Sequence, residues 1–192
     1  MGLLAHVPNA ITVSRILLIP VFVVCFWDPT PERSLVAAAV FGLAALTDAI
    51  DGYMARRLGH ITQLGKILDP IADKLLVLTA LVLLVDFGRV AAWIAILLAS
   101  REFIITGLRV VAAREHIDLT PETTGKIKMA AQVVAVLFLI LDESVSASWH
   151  FHNVGTSVLL ISLALSLISA AQYIQQFARQ MFPRGGTGRG EL

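Results

Sequence analysis

Six stretches of this chain are each long and apolar enough to cross a bilayer, and no other feature narrows its possible folds so far. A spanning helix needs roughly 20 mostly apolar residues. The stretches at about 8–27, 34–58, 68–87, 90–113, 126–142 and 154–178 meet that requirement. In lipid every backbone polar group must be satisfied within the protein, so spans of this length fold as helices. Turn-rich connectors lie between them, at 28–33, 86–89 and 115–125, and the segment 183–190 reads as a flexible end. We therefore expect an all-α polytopic membrane protein: a single six-helix transmembrane domain over residues 1–182 and a C-terminal tail over 183–192. The composition agrees, because only 15% of the 192 residues are charged, against about a quarter in a soluble domain. A net charge of +1 leaves no basic excess for a nucleic-acid binder. The lone Cys25 excludes a disulfide framework.

The first stretch is expected to be retained. Residues 1–10 hold no Lys or Arg, and no A-x-A-like cleavage site follows Trp27. Orientation follows from the basic residues near the loops. Arg56, Arg57, Lys66, Arg114, Lys126, Lys128, Arg179, Arg184 and Arg189 fall on one side, and only Arg33 and Arg89 on the other. That asymmetry predicts both termini in the cytoplasm, and we expect a multi-pass protein of the cell (inner) membrane. Trp27, Trp93 and Trp149 fall at span ends on the basic-poor side, where interfacial anchoring accounts for them.

The informative residues are the ionisable ones within these stretches. Asp48 and Asp51 close the second stretch, Asp69, Asp73 and Lys74 open the third, and Arg101, Glu102 and Arg109 lie within the fourth. An Asp at the centre of a membrane helix costs roughly 2.5–3.5 kcal/mol, so four facing lipid would cost on the order of 10 kcal/mol. They must share a polar cavity. At 100° per residue, Asp48, Asp51, Gly52, Ala55 and Arg56 fall within an arc of roughly 140°, while Gly65, Asp69 and Asp73 follow at i, i+4 and i+8. Two carboxylates from each helix can thus converge on the cytoplasmic side. Clustered carboxylates need cations beside them. Hard oxygen donors point to Mg²⁺, Mn²⁺ or Ca²⁺ rather than zinc, and four negative charges match two ions. Such a pair can serve a phosphoryl-type displacement. The rival reading is a cation or proton pathway. Small residues on the acidic face, together with Arg56, Arg101 and Arg109, favour a bulky anion instead.

Read as one string, residues 48–73 are Asp48-x2-Asp51-Gly52-x2-Ala55-Arg56-x8-Gly65-x3-Asp69-x3-Asp73. This string resembles the full signature of the CDP-alcohol phosphotransferases, with every position and gap matched. The resemblance implies a six-helix membrane fold, a homodimer, and transfer of a phosphoalcohol from a CDP-linked donor to a second alcohol. Three further segments extend it: Pro8-Asn9-Ala10-Ile11-Thr12-x2-Arg15, the run from Arg101 to Arg109, and Gly125-Lys126-Ile127-Lys128. They resemble the branch of the family whose donor is the membrane lipid CDP-diacylglycerol and whose acceptor is sn-glycerol 3-phosphate. Other acceptors within the family are inositol phosphate, serine and phosphatidylglycerol.

By that resemblance Asp48, Asp51, Asp69 and Asp73 hold two divalent ions, Mg²⁺ or Mn²⁺, and Asp73 is also the general base. Gly52, Ala55, Arg56 and Gly65 line the donor pocket, with close helix packing as the competing role for the two glycines. Asn9 and Thr12 contact the nucleotide or cap the first helix. Arg101, Arg109 and Lys126 are the candidates for the acceptor phosphate. Arg109 and Glu102 are seven apart on one helical face, so an ion pair between them is the competing role for Arg109. Lys126 and Lys128 lie about 200° apart if helical, so one of them points inward. We expect Lys126 inside, and Lys128 as an anchor in the positive loop region. His60, within the x8 gap, is expected to be a solvated loop residue.

Overall fold

The computed structural model describes residues 7–58, 63–115, 117, 124–142 and 150–181, with side chains described at 16–47, 74–115, 117, 128–142 and 150–181. Among the described residues there are six helices and no strand: α1 (Val7–Phe26), α2 (Pro31–Leu58), α3 (Gln63–Asp86), α4 (Ala92–Arg114), α5 (Thr124–Ile140) and α6 (Phe151–Met181). Each of the six apolar stretches has become one helix. His60, Trp149 and the tail at 183–192 lie outside the described residues.

Five of the helices start earlier than the apolar stretches do, α3 and then α2 and α6 by the most, and only α4 starts later. α2 opens at Pro31 because Thr30 acts as its N-cap. The Thr30 hydroxyl accepts the Arg33 N–H at 3.3 Å, and the Thr30 carbonyl accepts the first helical N–H, from Ser34, at 2.8 Å. Proline at the first helical position has no N–H to leave unsatisfied. α3 opens at Gln63, which puts Gly65 on the same helix as Asp69 and Asp73.

The end of α3 is a Schellman motif. Gly88 has φ +68°, its N–H donates to Val85 O at 3.0 Å, and the Arg89 N–H donates to Leu84 O at 2.8 Å. Glycine takes that left-handed conformation without a Cβ penalty, and the chain can turn into α4 at once.

In the bundle α5 packs along α6, α1 along both α2 and α3, and α4 against α6, while slighter contacts join α3 to α4 and α5 to α2 and α3. Tight packing of α5 on α6 depends on Gly155: a Cβ there would lie 2.8 Å from Leu139 Cγ and 3.1 Å from Phe138 Cβ. Small residues let helix backbones approach this closely.

The described contacts fix which helix ends meet. Phe22 and Phe26 stack at 5.7 Å, Phe22 reaches Phe41, and Phe26 meets Phe87 edge-on at 5.4 Å. Arg89 sits over the Phe26 ring at 5.4 Å and donates through Nη1 to Leu139 O at 3.0 Å and Ile140 O at 2.9 Å. His152 Nδ1 lies 3.2 Å from Asp142 Oδ2. The ends of α1, α3 and α5 and the starts of α4 and α6 therefore share one end of the bundle. By helix direction, the start of α1, the end of α2, the start of α3, the end of α4, the start of α5 and the end of α6 share the other.

Arg89 was counted above as a loop charge, but it is 5% exposed. Its guanidinium closes the C-terminal carbonyls of α5, which have no partner within their own helix.

Much of the outer surface is apolar, with Leu17, Val24, Leu43, Ile96 and Phe103 mostly exposed. Among the described residues, α6 is the one helix long and apolar enough by itself to cross a membrane. At 31 residues it spans about 46 Å, more than the ~30 Å hydrocarbon layer. α4 matches it in character but carries Arg101, Glu102 and Arg109, and the described apolar parts of α1 and α5 are shorter, Ile16–Phe26 and Lys128–Ile140.

Candidate active site

The acidic string spans the corner between α2 and α3. Asp48, Asp51, Gly52, Ala55 and Arg56 lie in the last turns of α2, and Gly65, Asp69 and Asp73 in the first turns of α3. Their side chains lie outside the described residues, so placement rests on the backbone. Four residues separate Leu58 from Gln63, so these two ends can be no more than about 18 Å apart. Both halves of the string are thereby held at one end of the bundle. Asn9 and Thr12, in the first turns of α1, and Lys126, at the start of α5, lie at that same end, again with side chains outside the described residues.

The cations expected for the acceptor are partly visible. Arg109 lies on α4 toward the end where the acidic string sits, and its Cζ is 5.6 Å above the Tyr173 ring of α6. The competing pair with Glu102 is not formed. Glu102 Oε1 instead meets Arg101 Nη1 at 2.5 Å, and Glu102 Oε2 lies 3.8 Å from Lys74 Nζ. The reason is lateral: the aromatic face of α6 draws Arg109 aside, while α3 presents Lys74 to Glu102. Arg101 keeps 16% of its side-chain surface exposed, and its Nε is buried with no hydrogen-bond partner among the described residues.

Sequence spacing could not have found the Lys74–Thr106 contact. Lys74 Nζ donates to Thr106 Oγ1 across α3 and α4, and the Thr106 hydroxyl donates in turn to Glu102 O at 2.7 Å. This pin sets the height of one helix against the other. Asp73 precedes Lys74 directly and so stands near the level of Thr106, with Asp69 about 6 Å closer to the end of the bundle.

The α5 lysines also depart in part from expectation. Lys128 is 5% exposed, and its carbonyl accepts the Ser162 hydroxyl at 3.0 Å. A buried lysine does not serve as an interfacial anchor, so that expectation is corrected. Lys128 stands at the α5–α6 seam, which also buries Ser162, Ser166 and Ser169. At this position the packing of α5 along α6 overrides the loop-side argument.

The acidic string on α2 and α3 and the cations Arg109 of α4 and Lys126 of α5 lie toward one end of the helical bundle. The profile of the CDP-alcohol phosphatidyltransferase family matches residues 5–168, and the chain belongs to that family. Among its curated relatives is the CDP-diacylglycerol--glycerol-3-phosphate 3-phosphatidyltransferase of Bacillus subtilis, 43% identical over 150 residues, which cover 72% of this chain and 78% of that protein. Enzymes of the same name from Pseudomonas fluorescens and Rickettsia bellii are 39% identical over 177 residues and 35% over 170. Each alignment covers 88% of this chain, and 89% and 94% of those two proteins respectively.

Proposed function

We propose that this chain is a membrane-embedded transferase that moves the phosphatidyl group of CDP-diacylglycerol onto sn-glycerol 3-phosphate, giving phosphatidylglycerophosphate and CMP. The observation that carries the reading is the string from Asp48 to Asp73, complete in spacing and set on two helices that a four-residue connection holds together. The relatives' shared name supports the choice of donor and acceptor.

The primary hydroxyl of the acceptor attacks the phosphorus that carries diacylglycerol. A P–O bond forms there as the bond to CMP breaks, and Asp73 takes the hydroxyl proton. Gly52, Ala55 and Gly65 leave room for the nucleotide diphosphate, and Arg56 offers a planar fork to it. Asn9 and Thr12 approach the nucleotide from α1. Arg101, Arg109 and Lys126 hold the acceptor phosphate, so orientation supplies much of the rate. No activated nucleophile–base pair appears in the sequence, which favours direct in-line transfer over a covalent intermediate.

The donor set fits a hard divalent cation, because four carboxylates fill its ligand positions without a thiol or imidazole. Asp48, Asp51, Asp69 and Asp73 would hold two Mg²⁺ or Mn²⁺ ions. When bound, such ions supply neutralisation of the diphosphate charge in an in-line displacement.

All six helices cross the bilayer in this reading, with the acidic end, both termini and the site on the cytoplasmic side. Support comes from the asymmetry of basic loop residues and from exposed Trp27 and Trp93 at the opposite end, where an aromatic belt would lie. The homodimer rests on the family resemblance, and the mass of the detergent-solubilised particle tests it.

Purified protein incubated with CDP-diacylglycerol, Mg²⁺ and sn-glycerol 3-phosphate should release CMP and lose that activity in chelator. Serine, inositol phosphate and phosphatidylglycerol offered in parallel should not sustain turnover. Release with one of those alone would move the assignment to another acceptor, and no release with any alcohol would reject it.

A further inference from the structure

We infer that Glu102 is a positioning residue, a carboxylate that aims Arg101 at the acceptor phosphate and is itself held in place by Lys74 of α3. The inference rests on the transferase reading above.

Adjacent residues on a helix project about 100° apart and do not face each other. The 2.5 Å contact between Arg101 Nη1 and Glu102 Oε1 therefore requires the guanidinium to fold sideways across the surface of α4. A guanidinium presents five N–H donors in one rigid plane. Holding one end fixes the direction of the rest. Among the donors left over, Nε is buried and has no partner among the described residues. Buried donors are rarely left unmet in a folded protein, so this one is available to an incoming acceptor oxygen. A phosphate oxygen supplies the charge-assisted bond such a donor favours.

Glu102 is fixed from the other side by a hydrogen-bond chain whose direction is determined. The single Thr106 O–H is committed to Glu102 O at 2.7 Å, so toward Lys74 Nζ the hydroxyl oxygen acts as acceptor. That contact brings the ammonium within 3.8 Å of Glu102 Oε2. One carboxylate thus lies between a cation of α3 and a cation of α4. Lys74 follows Asp73 directly in sequence, so the same contact ties the turn bearing the proposed base to the helix bearing the acceptor cation.

Steady-state CMP release by the full chain in mixed micelles tests this, with acceptor and donor varied separately. Glu102→Gln keeps the shape and loses the charge. It should raise KM for sn-glycerol 3-phosphate about ten-fold, the scale of one charge-assisted hydrogen bond, with kcat and the donor KM within about two-fold of wild type. Glu102→Asp should recover most of the loss. Arg101→Lys should show the same acceptor-selective defect. The double variant should be no worse than the poorer single one, since the two residues act as one unit. An unchanged acceptor KM in Glu102→Gln would overturn the inference, as would a fall in kcat with both KM values unmoved, or additive effects in the double variant. Should Glu102→Gln fail to fold, Arg101→Lys with an unchanged acceptor KM overturns it equally. If the wild type releases no CMP with sn-glycerol 3-phosphate, the transferase reading fails. If the wild type turns over and the variants do not respond as stated, the positioning role alone fails.

Discussion

Replacing Arg89 by Met should loosen the end of the bundle farthest from the acidic corner. Met keeps the apolar stem and removes the guanidinium of a residue that is 5% exposed. That guanidinium donates from Nη1 to the carbonyls of Leu139 and Ile140 at 3.0 and 2.9 Å. Because one nitrogen serves both acceptors, they count as a single charge-assisted interaction, worth about 1.5–3 kcal/mol. The face of Phe26, 5.4 Å from Cζ, adds roughly 0.5–2 kcal/mol. The expected loss is then about 2–5 kcal/mol, since the freed carbonyls of buried Leu139 and Ile140 have no water to turn to. For a chain of this size that corresponds to a fall of about 4–20 °C in the unfolding midpoint. The assay is thermal unfolding in detergent, paired with CMP release well below the midpoint. Activity at low temperature should stay within about three-fold of wild type, because Arg89 lies far from the site. A midpoint within about 2 °C of wild type would refute the capping role. So would loss of low-temperature turnover in a protein of normal stability, because Arg89 would then act in the chemistry.

Asp73→Asn should cut turnover at least about 10²-fold, the scale of positioned proton transfer, while donor binding measured by CMP competition persists; near-normal CMP release would remove Asp73 from the role of base. Gly155→Ala should cost about 1–3 kcal/mol by overpacking, because its Cβ would meet Leu139 Cγ at 2.8 Å; unfolding in detergent reads this directly, and an unchanged midpoint would mean that α5 can shift on α6 freely. Arg109→Ala should raise the acceptor KM about ten-fold or more with donor KM kept, as expected for a lost charged contact to phosphate. If acceptor response is unchanged and only stability falls, Arg109 is a structural partner of Tyr173.

Number and order of the helices were legible because each apolar stretch meets the length requirement independently of its neighbours. Helix starts were less legible. The start of α2 depends on the Thr30 hydroxyl reaching the Arg33 N–H, and Gln63, Gly65 and Lys66 hid the start of α3 from a reading based on apolar length. That the acidic string falls on two adjoining helix ends was legible for a different reason. Its spacing is internal to two helices, where 100° per residue places each side chain on a face without knowledge of the rest of the fold. Lys128 was misjudged because it was assigned by loop position, and loop position alone left the capping role of Arg89 unseen. Burial of a long cationic side chain depends instead on which carbonyls and rings a neighbouring helix offers.

Local rules acting along the chain thus settle that this protein is a set of apolar helices with four aspartates and a run of cations at stated heights. Family membership follows from the same string. How those helices are rotated and raised against one another is another matter. That Lys74 meets Thr106 rather than lipid, that Glu102 takes Arg101 and leaves Arg109 to Tyr173, and that Arg89 closes α5 are outcomes of packing. Each needs a side chain from a distant part of the sequence within hydrogen-bonding or stacking reach. Such proximity is a property of the assembled bundle, where the fit of whole helix faces sets register to within a fraction of a turn.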